Sequence, residues 1–127
     1  MSQATIFRFA AFAMALGVVL GAFGAHALKA RLSPEDLAIW QTGVQYHLLH
    51  GAALLAIAAM WPMLDGAASV WGVRLIMAGV IVFSTSLYLL VLTGPRWLGA
   101  ITPFGGVMMI SGWLLLAVSS VSNFRGV

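Results

Sequence analysis

Four stretches of this chain are long, apolar and free of charge. Phe9 to Leu28 runs for 20 residues without Asp, Glu, Lys or Arg, Val44 to Trp61 for 18, Leu75 to Leu92 for 18 and Ile101 to Val121 for 21. A hydrocarbon layer about 30 Å thick is crossed by about 20 helical residues, and within it a helix satisfies its own backbone hydrogen bonds. The pattern predicts an all-α integral membrane bundle of four transmembrane helices, arranged as two helical hairpins in one domain over residues 1–127. The spans fall at about 9–28, 44–61, 75–92 and 101–121.

Composition agrees. With 62% hydrophobic and 7% charged residues and a mean hydropathy of +1.04, too few polar side chains exist to cover a water-soluble globule, which makes membrane lipid the solvent. The sequence pI of about 10.2 rests on six Lys and Arg against three Asp and Glu. They are scattered, so no basic patch for nucleic acid forms. The absence of cysteine removes disulfides, thiolate metal sites and catalytic thiols from consideration.

The turns are written in helix-boundary residues. Ser33-Pro34-Glu35-Asp36 reads as a cap, a first-turn proline and two acids at the positive end of the helix dipole, opening a helix of about 27 residues that closes at Trp61-Pro62. Capping, not acid catalysis, is therefore the reading of Glu35 and Asp36. Thr93-Gly94-Pro95-Arg96-Trp97 stops the third helix, and Thr102-Pro103 repeats the device of Ser33-Pro34 as the expected start of the fourth. The two hairpins thus share a grammar, with Gly43 and Gly112 each nine residues after the proline, as a parallel duplication would leave. Ala25-His26-Ala27 imitates a signal-peptide cleavage site, but the preceding run is long enough to span and its flank is weakly basic, so no cleavage is expected. An even number of spans puts both termini on one side. Arg8, Arg74 and Arg125 flank one face and Lys29, Arg31 and Arg96 the other, a tie that leaves orientation open.

Small residues indicate where helices meet, because lipid tails are as apolar as leucine and close packing must drive assembly. Ala10, Ala13, Gly17, Gly21 and Gly24 form one stripe on the first helix, and Gly105 and Gly112 share a face of the fourth. Trp113 falls mid-span, and its indole N–H is expected to find an acceptor among Ser84, Thr85 and Ser86. The seven methionines show no ligand spacing and read as filling.

The polar side chains concentrate around the first turn. On a helical wheel Gly43, Tyr46, His47 and His50 share one face of the second helix, with the two imidazoles a turn apart, and His26 closes the helix before it. Three histidines from two helices suit a metal ion, and two suit a haem, but His26 stands opposite the glycine stripe and no intramembrane carboxylate is at hand to orient an imidazole. Structural hydrogen bonding leads, ahead of a polar-solute or proton site and of metal or haem, so no cofactor is predicted. Gln41 and Gln45 lie nearly opposite, where they face water or a partner. No nucleophile or catalytic signature is present.

Gly21-Ala22-Phe23-Gly24-Ala25-His26, then Leu32-Ser33-Pro34, Tyr46-His47-Leu48-Leu49-His50, Thr102-Pro103-Phe104-Gly105-Gly106 and Gly112-Trp113 resemble the YgdD/YwdK-like family of small bacterial inner-membrane proteins over nearly the whole chain. The resemblance implies a four-helix inner-membrane protein, singles out Gly21, Gly24, His26, Tyr46 and His50 as motif positions, and brings no activity with it. Two readings follow. One is a non-enzymatic accessory or structural protein of a membrane complex or homo-oligomer; the other is a small transporter or channel for a proton, metal ion or solute using the histidines.

Overall fold

The computed structural model describes residues 1–121. Its four long helices are α1 Gln3–Phe23, α2 Pro34–Met60, α3 Gly66–Thr93 and α4 Leu98–Ala117. Each, with the short turns that extend α1 to Leu28 and α2 to Met63, is long and apolar enough to cross a membrane. Two-residue strands, β1 Leu64–Asp65 and β2 Ser120–Val121, pair antiparallel where α2 meets α3. Arg125, counted above among the flanking cations, lies outside the described residues.

Local chemistry sets these boundaries. Ser33 Oγ accepts the Asp36 N–H at 3.1 Å and Pro34 occupies the first turn of α2, so the start of that helix follows its capping signal. α3 closes on Gly94 at φ 87°, whose N–H reaches the Leu90 carbonyl at 2.9 Å; only glycine takes that left-handed position without strain. At its other end α3 begins eight residues before Arg74, which stays exposed with its guanidinium 5.0 Å from the Trp71 ring.

The fourth helix departs from expectation. It starts at Leu98, so Thr102-Pro103 lies inside it rather than capping it. The donors of its first turn are taken by the Pro95-Arg96-Trp97 turn: Leu98, Gly99 and Ala100 N–H bond the Pro95, Arg96 and Trp97 carbonyls at 3.1, 3.1 and 3.0 Å. No side-chain cap is then needed. Pro103 leaves only the Gly99 carbonyl without an intrahelical donor. The Thr102 hydroxyl instead meets Ser86 Oγ of α3 at 2.7 Å.

Packing is uneven. α3 and α4 touch backbone to backbone at two glycine pairs: a Cβ on Gly79 would lie 2.8 Å from the Gly105 carbonyl, and one on Gly72 2.9 Å from the Gly112 carbonyl. α1 uses its glycines differently. Gly17 and Gly24 make room for the Leu48 and Trp40 side chains of α2, 2.6 and 2.5 Å from where a Cβ would stand. α1 rests chiefly on α2, and the two hairpins join along α2 and α3. Two core clusters result. One, holding Ile6, Leu54, Ile57, Val73, Ile76 and Met109, draws on all four helices; the other, at the opposite end, is Leu28, Trp40 and Tyr88. The buried polar side chains His47, His50 and Ser84 lie between them.

Candidate functional site

α2 carries this polar layer, because Gly43, His47 and His50 recur on its buried face. Gly43 is obligatory there: a Cβ would come within 2.8 Å of the Tyr88 ring. The missing side chain lets Tyr88 and Ser84 of α3 approach, so that Ser84 Oγ donates to the Gly43 carbonyl at 2.9 Å and the Tyr88 hydroxyl meets His47 Nδ1 at 3.1 Å. Trp40 packs on Tyr88 with centroids 4.7 Å apart and donates its indole N–H to the Leu20 carbonyl at 3.0 Å. Leu20 is also where the Gly24 N–H bonds as α1 passes into its π-helical turn. Trp40 therefore ties α1 to α3 through α2.

His50 is held in one protonation pattern. Its Nδ1 lies 2.9 Å from the Tyr46 carbonyl, which can only accept, so Nδ1 carries the proton. Its Nε2 receives the Trp113 indole N–H at 3.2 Å, which can only donate, so Nε2 is bare. The ring is neutral and both nitrogens are used. Trp113 thus finds its acceptor on α2 and not among Ser84, Thr85 and Ser86 as expected. Register is the reason: pairing Gly112 with Gly72 places Trp113 roughly a dozen residues, or about 18 Å, from Ser84 along α3. The indole, 39% exposed, edges the bundle instead of filling it.

The remaining predicted positions separate. Tyr46 is 40% exposed, its ring 4.6 Å from Phe83 and nearly parallel to His50 at 6.0 Å. His26 is exposed on the π-helical turn because Gly24 takes the face toward α2. Gln41 and Gln45 are exposed as well. Among the described residues no three His, Asp or Glu side chains are grouped to hold a metal ion, and His50 has no free nitrogen to offer one. The donor set does not fit the three-histidine metal or bis-histidine haem site.

His47 differs from the other two. It forms the floor of a cleft of about 480 Å³ between α1 and α3. Phe9, Phe12, Leu16 and Leu20 of α1 make one wall, while α3 supplies Val80 and Ile81 and, in the next turns, Ser84, Thr85 and Tyr88. Sequence reasoning did not single out Trp40, Tyr88, Gly43's partner role or the glycines Gly72 and Gly79. A signal for the last two existed, since they repeat the seven-residue spacing of Gly105 and Gly112.

Fold and site together define a four-helix membrane bundle with an internal aromatic and histidine layer and a cleft on one flank. The chain belongs to the family described as protein of unknown function (DUF423), whose model matches residues 20–106. That range includes the π-helical turn, the whole polar layer except Trp113, and Gly105. The UPF0382 membrane protein YwdK of Bacillus subtilis is 45% identical to it over 84% of this chain and 87% of its own length. The UPF0382 membrane protein SERP0230 of Staphylococcus epidermidis is 43% identical over 89% of each, and SH2409 of Staphylococcus haemolyticus 43% over 83% and 85%. No solved structure matches the chain.

Proposed function

We propose that this protein is a non-enzymatic accessory or structural component of the bacterial inner membrane, with both ends on one face, that works by lateral association with copies of itself or with a larger assembly. The observation that carries this reading is the closure of His50: both nitrogens are spent on Tyr46 and Trp113 inside the bundle. A residue so engaged aligns α2 with α4, and its Nε2 could take up a proton only after the Trp113 bond is broken. Tyr88 and Ser84 are likewise bound to α2. The outward faces of α1 and α4 remain as association surfaces, with Val19 62% and Phe104 70% exposed.

The test is the mass and composition of the native complex, extracted gently without a tag and identified by mass spectrometry. A stoichiometric assembly, of one kind of chain or several, supports the reading. A monomer under all mild extraction conditions opposes it. Transport is the second reading, kept because His47 alone reaches a cleft; it requires that solute or proton flux in reconstituted vesicles fall on His47→Ala.

A further inference from the structure

We propose that the cleft between α1 and α3 binds an uncharged lipid-soluble alcohol, an isoprenoid or acyl chain ending in one hydroxyl. The hydroxyl would lie at Ser84 and Thr85 and the chain between Phe12 and Ile81. This goes beyond the accessory role and does not depend on it.

The cleft has the volume of a small-molecule site, about 480 Å³, and its walls are apolar, as any lipid tail requires. What selects is the polar end. Ser84 is buried at 2% exposure and spends its proton on the Gly43 carbonyl, which leaves oxygen lone pairs and no donor. Thr85, the next residue, is exposed to the cleft and makes no hydrogen bond among the described residues. Elsewhere in the bundle Thr42 and Ser69 return their protons to the carbonyl four residues back, at 3.0 and 2.8 Å. The cleft therefore presents an acceptor beside a free donor. A hydroxyl, which both donates and accepts, answers both at once; a ketone answers only Thr85.

Depth and charge narrow the class further. Thr85 lies about 12 Å along the axis of α3 from its end at Thr93, below the level of phospholipid headgroups. No Lys or Arg lines the cleft, and its one basic side chain, His47, already has Nδ1 engaged with the Tyr88 hydroxyl, so a phosphate or carboxylate would be buried there with no fixed positive charge beside it, at a cost of several kcal/mol. Esterified phospholipids are left with only their tails to offer. A neutral alcohol meets each constraint.

The full chain in phosphatidylcholine nanodiscs would be photolabelled with diazirine-bearing farnesol, hexadecanol, hexadecane and palmitic acid, and the labelled peptides identified by mass spectrometry. The expected result is labelling of residues 9–20 and 80–88 by at least one alcohol, about fivefold above the alkane. That ratio matches one membrane hydrogen bond. Farnesol alone, hexadecanol alone, or both would support the proposal and assign the chain type. Thr85→Val, isosteric and exposed, should lower the alcohol signal toward the alkane level, with the Ser84 oxygen still able to accept, while the elution profile stays unchanged; Thr85→Ser should retain it. Equal labelling by alcohol and alkane, preference for palmitic acid, or indifference to Thr85→Val would overturn it.

Discussion

Replacing Gly105 by alanine probes the contact on which the α3–α4 hairpin depends. A Cβ at that position would stand 2.5 Å from the Phe83 amide nitrogen and 2.8 Å from the Gly79 carbonyl oxygen, both backbone atoms that no rotamer change can move. Ordinary contact begins at 3.4 Å, so the shortfalls are about 0.9 and 0.6 Å. Relief requires the helices to separate by roughly 0.5–1 Å, which forfeits a quarter to a half of the attraction at each neighbouring contact. Over a few dozen contacts of ~0.1–0.2 kcal/mol, the loss is about 1–3 kcal/mol, the usual range for overpacking. Gly106→Ala is the matched control: its Cβ would meet nothing closer than Phe83 Cδ2 at 4.0 Å, and no loss is expected, with a gain of up to about 1 kcal/mol because alanine favours the helix. Reversible unfolding in mixed micelles, followed by circular dichroism, measures both. If Gly105→Ala unfolds at the same detergent fraction as Gly106→Ala, the backbone contact is not what holds this hairpin.

Three further outcomes follow from the geometry. A double-mutant cycle between Trp113→Phe and His50→Ala should show a coupling of about 0.6–1.7 kcal/mol, the range for a hydrogen bond within a membrane; zero coupling would mean the indole does not donate to His50. Gly24→Ala should drive out the Trp40 ring, whose Nε1 is 2.5 Å from the added Cβ, and cost about 2 kcal/mol. Shortening Trp40 to leucine in that background should recover part of the loss, and additive losses would contradict direct contact. Pro103→Ala should leave stability unchanged or raise it by up to about 1 kcal/mol, because the new N–H supplies the Gly99 carbonyl. A marked destabilisation would restore Pro103 as part of a helix start.

The helices were legible in the sequence for a physical reason: a membrane tolerates only closed backbone hydrogen bonding, so apolar length and turn chemistry translate directly into spans. The capping of α2 by Ser33 was readable at the level of single residues. Rotation and register were not. The notion that Trp113 would reach the serines of α3 failed by about 18 Å, because depth was inferred from where each charge-free run began, while the true register is set by which glycines face each other. The same limit applies to the histidines. Their shared face on α2 was visible, but Tyr88 and Trp40, which decide what His47 can do, are ordinary aromatics in apolar runs until α3 is laid against Gly43. Thr102-Pro103 shows a different failure. A capping signal can be pre-empted by a turn upstream, here the one wound on Pro95.

The contrast between the two hairpins gives the molecule two stiffnesses. α3 and α4 are packed at backbone distance, with no side chain between them to yield at their glycine pairs, whereas α1 leans on α2 through side chains that rotate, with its far edge over the cleft. Relative movement of the helices therefore meets least steric resistance at α1. Its tilt sets the width of the cleft mouth between Phe12 and Ile81.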